Sequence, residues 1–240
     1  MLFFVATALA ASPHALVIVT PGMGRDAFQP LVSELERASV QVRVQEFGCG
    51  LGGVGAHVDA LVAELQRGDG DEVVVAHGYG ATLALLAAER GPQRREVLLA
   101  PVLGPLPGPL GAWLAEQPVG QALDLREPLR WQGRDVWGLL VGAEPDGSCV
   151  SAAAAREAAG WMRAGPPLHL DQVRVPVWLG VSAGDALSPV EVVVPASRAL
   201  PDRELVRFGL NRFDRADFRH GELLVAPEVL RAVRRAVVRP

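Results

Sequence analysis

Apolar residues along the chain follow two alternating rhythms. Short β-branched runs alternate with stretches whose apolar residues recur every three or four positions. Strands are predicted at Ala15–Thr20 (ALVIVT), Val40–Phe47 (VQVRVQEF), Glu72–Ala76 (EVVVA), Arg95–Ala100 (REVLLA), Val175–Val181 (VPVWLGV) and Arg203–Gly209 (RELVRFG). Phe28, Leu31, Val32 and Leu35 have helical spacing, as do Val58, Leu61, Val62 and Leu65. Further helices are predicted over Gly80–Arg90, Pro189–Leu200 and Pro227–Arg239. One block breaks the rhythm. Pro101–Gly111 (PVLGPLPGPLG) is too rich in Pro and Gly for a regular element, and only short helical pieces follow until about Leu170.

Strand–helix alternation predicts an α/β fold: a mostly parallel sheet of about six to seven strands with helices on both faces. The chain reads as a single domain over 1–240. The block 101–170 reads as a helical cap inserted after a strand, over the sheet end where such folds bind ligands. It holds Trp113, Trp131, Trp137 and Trp161. Tryptophans in such a block form local core more often than a ligand cage.

Composition narrows the function classes. Half of the 240 residues are hydrophobic and 21% are charged, which describes a foldable globular chain. The net charge is -4, and every basic residue other than His is Arg, with no basic tract to suggest nucleic acid. His57, His77, His169 and His220 are too scattered for a metal site, and no Cys/His set has zinc spacing. No metal or cofactor is expected. Cys49 and Cys149 leave pairing and free thiols equally open.

The first residues, MLFFVATALAA, allow two readings. As an uncleaved first strand over Leu2–Thr7, rich in Phe and Val, they would suit a cytoplasmic protein. As an export signal over about 1–11 they would end at the small residues Ala8-Leu9-Ala10, although no basic residue precedes the apolar run. Membrane contact through this segment is a third use, but it is too short to span a bilayer as a helix.

The chemistry gathers at Ala76-His77-Gly78-Tyr79-Gly80, between the run VVVA and an apolar helix. A strand, a tight small-residue corner and a helix make a nucleophile elbow, whose central residue should be Ser, Cys or Asp. Here it is Gly78, which has no nucleophilic atom. The elbow backbone favours a positive φ, so glycine is the relaxed state of an elbow released from chemistry. A close backbone approach to a ligand is the other reason for glycine there.

Four stretches together resemble the α/β-hydrolase fold family. VIVTPGMGRDAFQPLVSEL resembles the strand and Gly-rich turn that supply one oxyanion-hole amide, and VVVAHGYGATLALLAA resembles the elbow. QVRVPVWLGVSAGDALSPVEVV resembles the strand and turn of the triad acid, and RHGELLVAPEVLRAVRRAV resembles the loop of the catalytic base. The resemblance implies Asp185 as the acid, His220 as the base and Gly78 as a vacant nucleophile position, in the chain order this fold uses. It implies the backbone N–H groups of Met23 and Tyr79 as the oxyanion hole, with Gly22, His77 and Trp113 lining the pocket. Pro21 replaces the His that often opens the Gly-rich turn.

Bland readings stand beside these. Asp185 also suits a turn aspartate, and His220 a polar loop residue. Ser182, Ser188 and Cys49 are the other nucleophile-bearing residues near the implied site. The expectation is a hydrolase-like pseudoenzyme that binds a small apolar ligand or serves as a subunit with a protein partner. The alternative is an active hydrolase or general-base enzyme using His220 and Asp185.

Overall fold

The computed structural model describes residues 12–21, 23–47, 52–68, 70–91, 94–116, 130–132, 134–135, 157, 160–209 and 218–239. The N-terminal segment, Cys49, Cys149 and Gly22 lie outside the described residues, as does most of the block 101–170.

Six strands form the main sheet: β1 (His14–Ile18), β2 (Gln41–Gln45), β3 (Val73–His77), β4 (Glu96–Leu99), β7 (Val177–Ser182) and β8 (Arg203–Phe208). A two-residue antiparallel ladder, β5 (Arg130–Trp131) with β6 (Arg134–Asp135), stands apart in the inserted block. The order across the main sheet is β2-β1-β3-β4-β7-β8, and every pairing is parallel. Parallel pairing demands a crossover after each strand, and the helices supply it. These are α1 (Arg25–Arg37), α2 (Val54–Arg67), α3 (Gly78–Arg90), α4 (Gly108–Glu116), α5 (Val190–Ala196) and α6 (Pro227–Val238).

Strand alternation splits the core into two layers. Val17, Val75, Val97 and Leu99 pack with Phe28, Leu31 and Leu35 of α1 and Val229 and Val233 of α6. Leu16, Val74, Ala76 and Leu98 point to the other face, against Val58 and Leu61 of α2 and Leu83 of α3. α3 is buried almost throughout, from Gly78 to Ala88, which explains why its sequence carries nearly no charge. The predicted helix over Pro189–Leu200 is α5 followed by a 3₁₀ turn, Ser197–Ala199. Pro195 lacks the N–H that would continue the α-helical ladder.

Chain order reverses about β1: β2 lies on one side of it, β3 and all later strands on the other. Ligands in open parallel sheets bind at the carboxyl ends of strands flanking such a reversal. Thr20 and Met23 follow β1 there, and Gly78 follows β3.

Candidate active site at a glycine elbow

β3 ends at His77 in extended geometry, and Gly78 turns the chain at once into α3 with φ +57°. That left-handed conformation favours glycine over any L side chain. Gly80 answers a different need. A Cβ there would lie 2.9 Å from Thr20 Oγ1 and 3.6 Å from Ile18 Cγ2, so its bareness lets α3 lie close on β1. The Thr20 hydroxyl donates to the His77 carbonyl, fastening the end of β1 to the corner.

After β7 the chain turns through Ala183 and Gly184 to Asp185. Its side chain is fully buried, and both of its oxygens accept hydrogen bonds. Oδ1 accepts the Leu187 N–H at 2.9 Å and the Ser188 N–H at 3.0 Å, while Oδ2 accepts His220 Nδ1–H at 2.8 Å. Asp185 is therefore both a turn aspartate and the imidazole's partner. The two amides belong to the loop before α5, not to its first turn.

His220 opens a 3₁₀ turn, His220–Leu224, closed at its start by Glu222 Oε2 accepting the Arg219 N–H at 2.7 Å. The Asp185 carboxylate fixes the proton on Nδ1, so Nε2 is the basic nitrogen. That nitrogen faces Gly78. A Cβ built on Gly78 would overlap Nε2 and stand only 3.1 Å from Cε1. The imidazole has closed onto the space a nucleophile's first carbon needs.

His77 holds this arrangement from behind. Its Nε2–H donates to the His220 carbonyl at 2.8 Å, and the two rings lie 4.2 Å apart. Burial and the neighbouring imidazole push its pKa well below the ordinary histidine value, so it is neutral. Its Nδ1 is buried without a hydrogen-bond partner among the described residues.

The two implied oxyanion amides differ. The Met23 N–H donates to the Thr20 carbonyl at 2.9 Å inside a tight turn. The Tyr79 N–H lies in the first turn of α3, where helical N–H groups have no intrahelical acceptor. Ser188 donates to the Pro101 carbonyl at 2.6 Å, and Ser182 Oγ accepts the Gly184 N–H at 3.3 Å, so each serine is engaged with backbone.

Trp113 is half-buried on α4. Among the described residues, Trp161 reaches the elbow, stacking on Tyr79 with ring centres 4.9 Å apart and 29° between planes. Sequence reasoning placed Trp161 among local core residues. Its only signal was its position near the end of the inserted block. Beside Asp185, a cleft of about 260 Å³ is lined by Leu106, Pro107, Ala183–Ala186, Pro189 and Glu191.

The Alpha/beta hydrolase family model matches residues 2–235. Solved structures with the same fold include a probable hydrolytic enzyme from Pseudomonas aeruginosa PAO1, at 16% identity over 96% of this chain and 86% of that one, with a TM-score of 0.62. A deformylase of N-formylmaleamic acid from Pseudomonas putida S16 is 20% identical over 92% and 91%, with a TM-score of 0.61. A lipase-esterase related protein from Clostridium acetobutylicum ATCC 824 is 13% identical over 93% of each chain, with a TM-score of 0.63. At these identities the likeness is one of fold. No curated protein matches the sequence. The six-stranded parallel sheet and a family match spanning nearly the whole chain lead to one conclusion: this chain belongs to the alpha/beta hydrolase family.

Proposed function

We propose that the chain is a catalytically silent member of this family, which binds a small apolar ligand or serves as a subunit beside a protein partner. The observation that carries the proposal is the overlap at residue 78. Covalent catalysis needs a nucleophile within hydrogen-bond reach of the base. Gly78 offers none, and His220 stands where the Cβ of one would be. The oxyanion side points the same way, since the Met23 amide is already committed to Thr20. The solved relatives include named hydrolytic enzymes, so the silence proposed here is a departure from them.

Short-chain p-nitrophenyl esters test this directly. The expected result is release no faster than the blank. Turnover that disappears in His220→Ala would refute the proposal.

A second reading, general-base chemistry without a covalent step, is favoured by the intact hydrogen bond between His220 and Asp185. It predicts deuterium exchange at the α-carbon of a bound ketone or ester. His220→Ala leaving all exchange unchanged would remove it.

A further inference from the structure

The turn that presents Asp185 to His220 also borders a cleft of about 260 Å³, which the dyad does not use. Leu106 and Pro107, just before α4, close one side of it, and Pro189 and Glu191, at the start of α5, close another. Its hydrogen-bonding character is one-sided. Pro107 and Pro189 have no N–H to offer. Leu106 donates its N–H to the Met162 carbonyl at 2.9 Å, and Ala183 donates to the Phe208 carbonyl at 3.4 Å. Asp185 donates to the Ser182 carbonyl at 3.3 Å, and Gly184 to Ser182 Oγ at 3.3 Å. The carbonyls of Ala183, Gly184, Asp185 and Ala186 accept no hydrogen bond from the described residues. The lining therefore offers acceptors and few donors.

Charge is just as one-sided. No Arg or His lines the cleft. Glu191 is exposed, and no described donor or cation engages its carboxylate. Its place in the first turn of α5 suits the helix dipole, but that leaves its oxygens open to a partner. Ala186 and Glu191 keep N–H groups without a described acceptor, yet the Glu191 carboxylate at the same cleft repels an anion. The remaining surface is apolar carbon from Leu106, Pro107, Pro189 and the two alanines. The volume lies just below that of pockets for drug-sized ligands, which suits a short chain.

We propose that this cleft is a second binding site, for a small primary alkylammonium. The cationic head brings three donors to Glu191 and the turn carbonyls, and a chain of a few carbons lies against Leu106 and the prolines. The site is separate from residue 78 and does not rest on the silence of the elbow.

Butylammonium chloride, titrated into isotope-labelled protein at constant ionic strength, tests this through the amide NMR shifts of Ala183, Gly184, Ala186 and Glu191. The expected result is saturable shifts confined to these residues and their neighbours, with a dissociation constant on the order of 1 mM. Butanol keeps the chain without the charge, and butyrate reverses the charge, so neither should saturate. Glu191→Gln keeps the shape and removes the charge. It should weaken butylammonium roughly three- to tenfold, the strength of an exposed charge-assisted contact. Ala186→Leu, at an exposed position, fills the cleft and should abolish saturation. The proposal is overturned if the wild type does not saturate, or if either variant binds with the wild-type constant. Equal binding of butanol or butyrate, or shifts spread over other surface carboxylates, would overturn it as well. Tighter binding of Nα-acetyl-lysine methylamide would replace the free amine with a lysine of a protein partner, against the proposal. Ester turnover reports on residue 78 alone, so this site and the functional reading above fail separately.

Discussion

Two buried carboxyl groups, one in the loop after β7 and one on the neighbouring β4, meet opposite fates. Asp185 follows β7 and accepts from the Leu187 and Ser188 amides and the His220 imidazole. Glu96 is the first residue of β4, which pairs with β7, and it is equally buried. Its Oε2 has no hydrogen-bond partner among the described residues, and burial alone lifts its pKa to about 8. Nothing in the structure explains why a carboxyl stands there. The contrast bears on how a surviving dyad is read. Asp185 organises the loop before α5 whether or not it orients a base. The His220 carbonyl holds His77 whether or not its ring takes a proton. Both residues therefore hold structural contacts that do not depend on a nucleophile at residue 78.

Removing the acid that serves three donors should hurt most. Asp185→Ala strands two buried amides and an imidazole N–H, each an unmade hydrogen bond in a dry site. We expect a loss of about 3–5 kcal/mol, read by urea unfolding at pH 7, where water does not refill the gap. Asp185→Asn should recover a large part, because its carbonyl oxygen can still serve two of the donors. A loss below 1 kcal/mol in the alanine variant would mean that the dyad is not structural and that its retention needs a functional cause.

Glu96 should show the opposite sign. In the unfolded chain it ionises near 4.5, while in the fold it keeps its proton to about pH 8. Unfolding therefore releases a proton between these values, and rising pH favours the unfolded state. The penalty is absent below pH 4.5, grows through neutrality and is complete above pH 8. Glu96→Gln should abolish this slope and stabilise the protein by roughly 4 kcal/mol at pH 8.5 relative to its effect at pH 4.5. Parallel stability curves for the two proteins between pH 5 and 8.5 would show that Glu96 finds a partner the burial pattern does not reveal.

The two acids also mark what a sequence can disclose. Asp185 was legible because it sits in a turn, after a strand and before a helix, in order with Gly78 and His220. Local punctuation and chain order carry that information. Glu96 lay within the predicted strand Arg95–Ala100, and only the place of β4 between β3 and β7 makes it interior. The strands and helices were legible through periodicity, with differences at their ends. Val40–Phe47 shortens to Gln41–Gln45 because β2 is an edge strand paired only with β1. The stacking of Trp161 on Tyr79 joins segments far apart in sequence through a block without periodicity, and no local pattern encodes such a pairing. The closing of His220 onto Gly78 is a matter of one ångström or so. Residue types fix which groups meet, but the packing of Asp185, His77 and the 3₁₀ turn fixes how closely.

That closeness makes Gly78→Ser more informative than a simple restoration. The new residue must hold φ near +57°, a cost of about 1–3 kcal/mol for a non-glycine residue. It must also push back an imidazole bonded through Nδ1 to Asp185 and through its carbonyl to His77. If the ring yields, Oγ meets Nε2 and weak turnover of p-nitrophenyl esters should appear together with the stability loss. If it holds, the stability loss appears alone. Gly78→Ala separates the two contributions, since it shares the strain and the overlap but makes no hydrogen bond to Nε2. Serine less destabilising than alanine by about 1 kcal/mol would report a new bond to the base. Equal losses would mean that the imidazole does not accept it. No loss in either variant would place His220 away from residue 78, and the reading of the elbow as closed would fall with it.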